Sequence, residues 1–503
     1  HKPALLLPPA KNSLGMLVFL YLVLAIVLGA VVRWYQLDRR VTKSGIPCTW
    51  INPLDILRGN YMKILNDVTS FLDENNGVGA LRSPAGKPFV IVSSPQHLRT
   101  VLVGVPQRKL HANGVQNPLV GAFSPRLLKL ERRVSSVIDD SSITLFHTLS
   151  KRFDDFLQME ARKQTPGDTA KSIRDFWWQI RLCLLFGRPT WSQETVNLCT
   201  NRFFAEVDQF ASILVNMFPF AKYLPLLNTM WYRYTVWRLR DHLRTLVNNF
   251  EKEMRGLEEG TWAMLHELDV KDSMDLKVDV CMKMLFVGIG PLTDTVCWMM
   301  WEVARHPTIQ EALCKEAKGC CMRSMKEINE LPLLDAVFKE TLRMYSPVHV
   351  GRLTLVEHTL NGYHIDKDTD FMTNMHFIHR SKRFHQDPHN FNPKRFLAPH
   401  AKDATEEPTL PSPGSKMEQQ TGAQTDKKQG GVTGEQKAYY PFSIGARSCP
   451  GSMVSSCVGK LFMVKLLREY KMEVVNGSVP TIGYNLVMPI RPSNMHIRIC
   501  SRQ

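Results

Sequence analysis

A chain of 503 residues with 44% hydrophobic content has room for a large buried core and is neither low-complexity nor fibrous. Its eleven cysteines form no C-x-x-C pair and no zinc pattern, which excludes a compact disulfide scaffold and points to a reducing compartment. The formal charge of +16 suits an anionic membrane surface or an acidic protein partner, and with no nucleic-acid-binding motif present, nucleic acid is not an expected partner.

Taken in chain order, Leu14 to Val32 is an uncharged apolar run. At a rise of about 1.5 Å per residue it reaches roughly 28 Å, close to the thickness of bilayer hydrocarbon, and is expected to span a membrane. A signal peptide would carry a shorter apolar region and small residues at a cleavage site; here Arg33, Trp34, Tyr35, Arg39, Arg40 and Lys43 follow instead. Their positive charge outweighs Lys2 and Lys11 ahead of the span and places the rest of the chain on the cytosolic side. Residues 1–45 are thus an anchor with a basic linker, and 46–503 a globular domain.

Within that domain, Lys87 to Pro95 is a β-branched run closed by proline, a strand, and Gln96 to Val103 turns helical. Leu127 to Ile138 has helical spacing and carries Arg132-Arg133. Phe203 to Tyr232 sets Pro219 and Pro225 among aromatic residues, a broken helical connection whose greasy face suits either core packing or a membrane surface. Val278 to Arg305 reads as one long helix ending at His306-Pro307, with Pro291 inside it at a cost on the order of 3 kcal/mol and the carbonyl of Val287 released. Leu331 to Tyr345 is a helix that puts Glu340 and Arg343 on one face, and Phe391-Asn392-Pro393-Lys394-Arg395-Phe396 follows. From Pro399 to about Gln436 the chain is nearly devoid of apolar residues, a disordered insertion. A helix from after Cys449 to Tyr470 and a hairpin containing Met488 to Pro492 complete the chain.

The chemistry concentrates in Phe442-Ser443-Ile444-Gly445-Ala446-Arg447-Ser448-Cys449-Pro450-Gly451. A cysteine thiolate can be the axial ligand of haem iron. Gly445 and Gly451 let backbone approach a flat macrocycle or take positive φ, Arg447 favours the thiolate and can pair with a haem carboxylate, and Phe442 can shield the sulfur. The pattern Phe-x-x-Gly-x-Arg-x-Cys-x-Gly resembles the haem-binding signature of the cytochrome P450 family.

That resemblance covers roughly Gly45 to the C-terminus and implies a mainly α fold, a helical prism with small β-sheets, joined to an N-terminal transmembrane helix. It implies haem b on Cys449, with Gly288 on the distal helix and Arg352 and Arg132 as further haem contacts, although Leu128 stands where the family has the tryptophan paired with the latter. It joins Glu340, Arg343 and Arg395 in a buried structural network. The family's distal acid-threonine pair is replaced by Gly290-Pro291, so protons must travel otherwise: through water on the Val287 carbonyl that Pro291 frees, or through Thr293, Asp294 and Thr295. The activity implied is membrane-bound monooxygenation of a lipophilic substrate such as a sterol or other lipid, at the endoplasmic reticulum. Electrons would come from NADPH through a flavoprotein reductase, with cytochrome b5 or a ferredoxin as other donors. Two other readings stay open: a peroxide-using or isomerase-type haem-thiolate enzyme, and a non-enzymatic haem or lipid binder in the membrane.

Overall fold

The computed structural model describes residues 43–50, 55, 58, 60–83, 86–104, 110–111, 143–163, 166–186, 195, 227–254, 273–287, 289–347, 349–354, 356–367, 369–397, 438–445, 448–475, 477–483 and 490–502. The expected membrane span, Arg132, Gly288, Arg447 and the insertion after Pro399 lie outside them. Among the described residues no helix is long and apolar enough to cross a membrane.

Among the described residues, twelve short strands frame the helices: β1 (Cys48–Trp50), β2 (Val78–Ser83), β3 (Gly86–Val92), β4 (Leu110–His111), β5 (His349–Thr354), β6 (His358–Leu360), β7 (Tyr363–Ile365), β8 (Asp370–Asn374), β9 (Tyr470–Val474), β10 (Thr481–Gly483), β11 (Arg491–Ser493) and β12 (Ile497–Ser501). Six of them form one sheet in the order β1-β2-β3-β8-β5-β4, and the others make three two-stranded pairs. The run read from sequence as a strand is β3, antiparallel to β2 with Ala80 opposite Val90. Alternation along this hairpin serves two cores at once. Val78, Ala80, Val90 and Val92 join a cluster with Leu98, Leu102 and Tyr440, while Leu81 and Ile91 join the main helical core. Between β6 and β7, Asn361 and Gly362 both take positive φ (50° and 82°), as a tight hairpin turn requires.

The helices are α1 (Tyr61–Glu74), α2 (Pro95–Arg99), α3 (Ile143–Ala161), α4 (Thr169–Phe186), α5 (Leu227–Met254), α6 (Met274–Val287), α7 (Ile289–Arg305), α8 (Pro307–Gly319), α9 (Met325–Asn329), α10 (Pro332–Met344), α11 (Met375–His379) and α12 (Ser452–Glu469). Prolines open α2, α8 and α10 where a backbone N–H has no helical partner. Glu316 of α8 then accepts from the Leu333 and Leu334 amides at 2.7 and 2.9 Å, capping α10.

Helix α7 is the axis of the molecule. Every residue from Leu292 to Ala304 is buried, the signature of a helix enclosed on all sides, and it packs on α4, α6, α8, α10, α12, β9 and β11. Aromatic rings lock its neighbours together: Phe153 and Phe156 of α3, Phe176 and Trp177 of α4 and Phe462 of α12, with Phe156 and Phe176 stacked at 4.1 Å.

One expectation needs correction. The helix read as continuous over 278–305 is two helical segments, α6 and α7, and Pro291 is the third residue of α7. There it sits in a first turn, whose N–H groups lack intrahelical partners, so the cost of an interior proline does not apply. Of the stretch read as a broken helical connection, residues 203–226 with Pro219 and Pro225 lie outside the described residues, and Leu227 to Tyr232 begin α5.

Candidate active site

The loop before α12 is built to present Cys449. The Ser443 amide donates to the Tyr440 carbonyl at 3.0 Å, Ser448 to Gly445 at 3.0 Å, and Cys449 to Phe442 at 2.9 Å, folding the chain back on itself twice. Two left-handed residues make this possible, Ser443 at φ 63° and Gly445 at φ 80°. Gly445 is also sterically required, because a Cβ there would lie 2.8 Å from the Leu102 carbonyl oxygen. Gly451 is not comparably confined: a Cβ would meet nothing nearer than the Cys449 sulfur at 3.9 Å. The phenyl of Phe442 packs against the main core. Cys449 itself is exposed. Its accessible sulfur on a hydrogen-bonded loop, with a glycine where backbone crowds backbone, fits the donor set of a haem-thiolate site.

The loop is tethered to the expected charge network. Arg343 Nε and Nη2 donate to the two Glu340 oxygens at 2.8 and 2.9 Å. Its Nη1 donates to the His379 and Pro388 carbonyls, both at 2.8 Å, and Arg395 Nε reaches Glu340 Oε1 at 3.1 Å. The Asn392 amide completes the carboxylate at 2.8 Å. From this network the link to the loop runs through His379. Its Nε2 accepts the Tyr440 amide at 2.9 Å, and because the Ser346 hydroxyl donates to the Leu342 carbonyl, His379 Nδ1–H donates to Ser346 at 2.8 Å. That assigns a neutral ring, and burial, reinforced by His385 and the Arg343 cation, holds its pKa well below the ordinary value.

Arg352 lies on β5, buried, with Nη1 donating to the Gly351 carbonyl at 2.7 Å. The expected proton-handling residues fall on α7 but do not converge. Gly290 and Pro291 are half-buried. The Thr295 hydroxyl donates to the Pro291 carbonyl at 2.8 Å, so these two form a unit. Thr293 is buried with its hydroxyl unpartnered. Asp294 is 1% exposed with neither carboxylate oxygen hydrogen-bonded. Burial pushes its pKa up to about 7, against the pull of Arg491 on β11 and Arg174 on α4.

One residue of the site escapes a sequence reading. Arg181 of α4 is buried with its Nε unpartnered, and desolvation lowers its pKa to about 10 while the charge on Cys449 raises it. A cation inside the apolar run Ile180 to Phe186 was the available signal.

An exposed cysteine on a clamped loop ahead of a buried helix that packs on α7, tied to the Glu340–Arg343–Arg395 network through His379, is the arrangement of a haem-thiolate protein. The family model for cytochrome P450 matches residues 84–497, and the chain belongs to that family. Among curated proteins it is similar to the mitochondrial sterol 26-hydroxylase of Mus musculus, 26% identical over 222 residues, 42% of this chain and 37% of the relative. It is equally similar to the steroid 17-alpha-hydroxylase/17,20 lyase of Ovis aries, 26% over 221 residues, 42% and 38% of the two chains. A third is the trifunctional (S)-stylopine/(S)-nandinine/(S)-canadine synthase of Argemone mexicana, 25% over 293 residues, 55% and 51%. The chain thus spans between about a third and a half of the length of these relatives.

Proposed function

We propose that this protein is a haem-thiolate monooxygenase acting on a lipophilic substrate, a sterol or other lipid by preference. The observation that carries the reading is the Cys449 loop, where the Cys449 backbone amide donates to the Phe442 carbonyl, Gly445 packs against Leu102, and the cysteine is left exposed. Cys449 would ligate the iron, with Arg447, Arg352 and Arg132 on the haem carboxylates and Gly288 opening the distal face. Bound there, haem supplies dioxygen activation: one oxygen atom enters a substrate C–H bond and the other leaves as water, with two electrons drawn from NADPH through a reductase. The chain's own part is to exclude water, hold the sulfur as thiolate and pass protons. The Thr295 hydroxyl, anchored on the Pro291 carbonyl, keeps its lone pairs for a water, and Asp294 near neutrality is a carboxyl able to hold or release a proton. Names of the sterol and steroid hydroxylases support the substrate class. The 14–32 span supports an anchor in the endoplasmic reticulum with residues 46–503 as a cytosolic catalytic domain, and the charge of +16 supports an acidic flavoprotein, cytochrome b5 or ferredoxin donor.

The test is the carbon monoxide difference spectrum of reduced, haem-loaded protein with a Cys449→Ala control, followed by NADPH consumption with added reductase. A red-shifted Soret band absent from the variant, with substrate-dependent consumption, supports the reading; haem binding without that band leaves the membrane haem binder. One observation favours a second reading, a peroxide-using enzyme: Gly290-Pro291 replaces the acid-threonine pair, and the nearby Thr295 hydroxyl is committed to backbone. Turnover with peroxide but not with reductase would select it.

A further inference from the structure

A groove of about 440 Å³ opens where α1, the C-terminal half of α7, the ends of α10 and α11 and the 474–482 segment meet, and none of its lining residues belongs to the Cys449 loop or to Pro291–Thr295. Its floor is aromatic and rigid. The rings of Trp298 and Tyr345 lie parallel, 4.1 Å apart and 3° from coplanar. Trp298 Nε1–H is fixed on the Ile490 carbonyl at 2.8 Å, and the Tyr345 hydroxyl donates to buried Glu302. Val474, Val479, Pro480 and Ile482 make the opposite wall apolar, and Val479 stands 73% exposed at the rim.

Two guanidinium groups face this apolar space. Arg305 lies 5.7 Å from the centre of the Trp301 ring and Arg380 5.8 Å from that of Tyr345. Arg380 is 6% exposed yet makes no ion pair with a carboxylate among the described residues. Its contacts are Nε on the Met344 carbonyl at 3.1 Å and Nη1 with His389 Nδ1 at 3.4 Å. Of the two carboxylates whose charge reaches Arg380, Glu302 and Glu340, Glu302 is 3.8 Å from Arg305 and already holds the Tyr345 hydroxyl, and Glu340 is held by Arg343 and Arg395. Desolvation lowers the Arg380 pKa to about 10 against the opposing pull of Tyr345, Glu302 and Glu340. Burying a cation without full pairing costs free energy that an incoming anion recovers, and the space falls in the range of small-molecule sites, roughly 300–1,000 Å³.

We propose that this groove, lined by Trp298, Trp301, Arg305, Tyr345, Arg380 and Val479, is a second small-molecule site that binds an amphipathic anion: a flat or ring-shaped apolar body bearing one carboxylate or sulfate group. The body lies on the indole and phenol faces, and the acid group meets Arg380 and Arg305. Neutral lipids of the same shape gain the apolar contacts but leave Arg380 without its partner.

The test uses the haem-loaded full chain, with a tight azole occupying the haem pocket, and anilinonaphthalene sulfonate as probe. Uncharged phenylnaphthylamine, the same body without the acid group, is the control. Energy transfer from tryptophan to the sulfonate should saturate at one site in the presence of the azole. Arg305→Gln and Val479→Asp, both at the rim, should each weaken the sulfonate by about tenfold or more, with the Soret position unchanged. Arg305→Gln should leave the neutral probe unaffected. The proposal is overturned if the azole displaces the sulfonate, if neither variant weakens it, or if Arg305→Gln weakens both probes equally.

Discussion

The molecule buries charge in two contrasting ways. Around Glu340 every acidic oxygen and every Arg343 nitrogen has a partner, several of them backbone carbonyls of the 379–390 segment. Around Asp294, equally removed from water, neither oxygen is bonded and the neighbouring Thr293 hydroxyl is also orphaned. The first arrangement fixes one geometry. The second is costly while charged and therefore sits near neutrality, where a carboxyl can change state. Paired charge serves the fold here, and unpaired charge is what a reaction can use.

The largest effect should come from breaking the paired region. Glu340→Ala leaves Arg343 and Arg395 facing each other without a carboxylate, and removing one partner of a buried ion pair costs roughly 3–5 kcal/mol. Because the same network reaches the Tyr440 amide through His379, the Cys449 loop should loosen with it. The urea midpoint should fall and haem retention with it; a variant as stable as the parent would show that the network does not organise the loop.

At Asp294 the sign runs the other way from an ordinary carboxylate. Its folded pKa, about 7, lies above the unincorporated value of 3.8. Below pH 4 both states are protonated and nothing is lost. As pH rises from there through 7 the unfolded chain releases the proton first, so stability declines across that window, by at most about 4 kcal/mol at 1.36 kcal/mol per pKa unit. Asp294→Asn should remove this decline. Urea midpoints of the two proteins between pH 3.5 and 7 check it: they should converge at the acid end and separate toward neutrality, and parallel curves would mean that Asp294 titrates normally.

How much of this was legible beforehand follows from how far apart the participating residues lie in the chain. The Cys449 loop, Glu340, Arg343 and Arg395 sit in short contiguous motifs and could be read directly. The mutual position of Thr295 and Pro291 needed the helix boundary at Ile289: Gly290-Pro291 marks a weak point in the sequence, but whether the proline falls inside a helix or in its first turn is decided by packing. Arg181 acts on Cys449 from a helix 268 positions earlier in the chain, and the Trp298–Tyr345 stack joins two helices. Such pairs are created by packing and leave no local pattern.

A smaller loss is expected at Gly445. Alanine there must hold φ near 80° and approach the Leu102 carbonyl, so Gly445→Ala should cost about 1–3 kcal/mol. Gly451→Ala, at φ −91° and with 3.9 Å of clearance from the sulfur, should cost less than half as much in the haem-free protein. Thermal denaturation of the two variants side by side separates a glycine required by the fold from one that the protein itself leaves unconfined.

The smallest effect on stability, and the sharpest on mechanism, belongs to Thr295. Its hydroxyl adds a bond to the Pro291 carbonyl, and replacing it with the isosteric valine should cost about 1 kcal/mol. If that hydroxyl hands protons onward in a reductase-driven reaction, Thr295→Val should lower the product formed per NADPH consumed and release the difference as hydrogen peroxide, while Thr295→Ser restores the ratio. If the protein uses peroxide directly, no proton delivery to dioxygen is needed and the same substitution should leave peroxide-supported turnover within about twofold of the parent, roughly 0.4 kcal/mol in barrier. The hydroxyl thus tests whether the unpaired side of α7 is used at all, because its removal perturbs the fold too little to account for a lost coupling ratio.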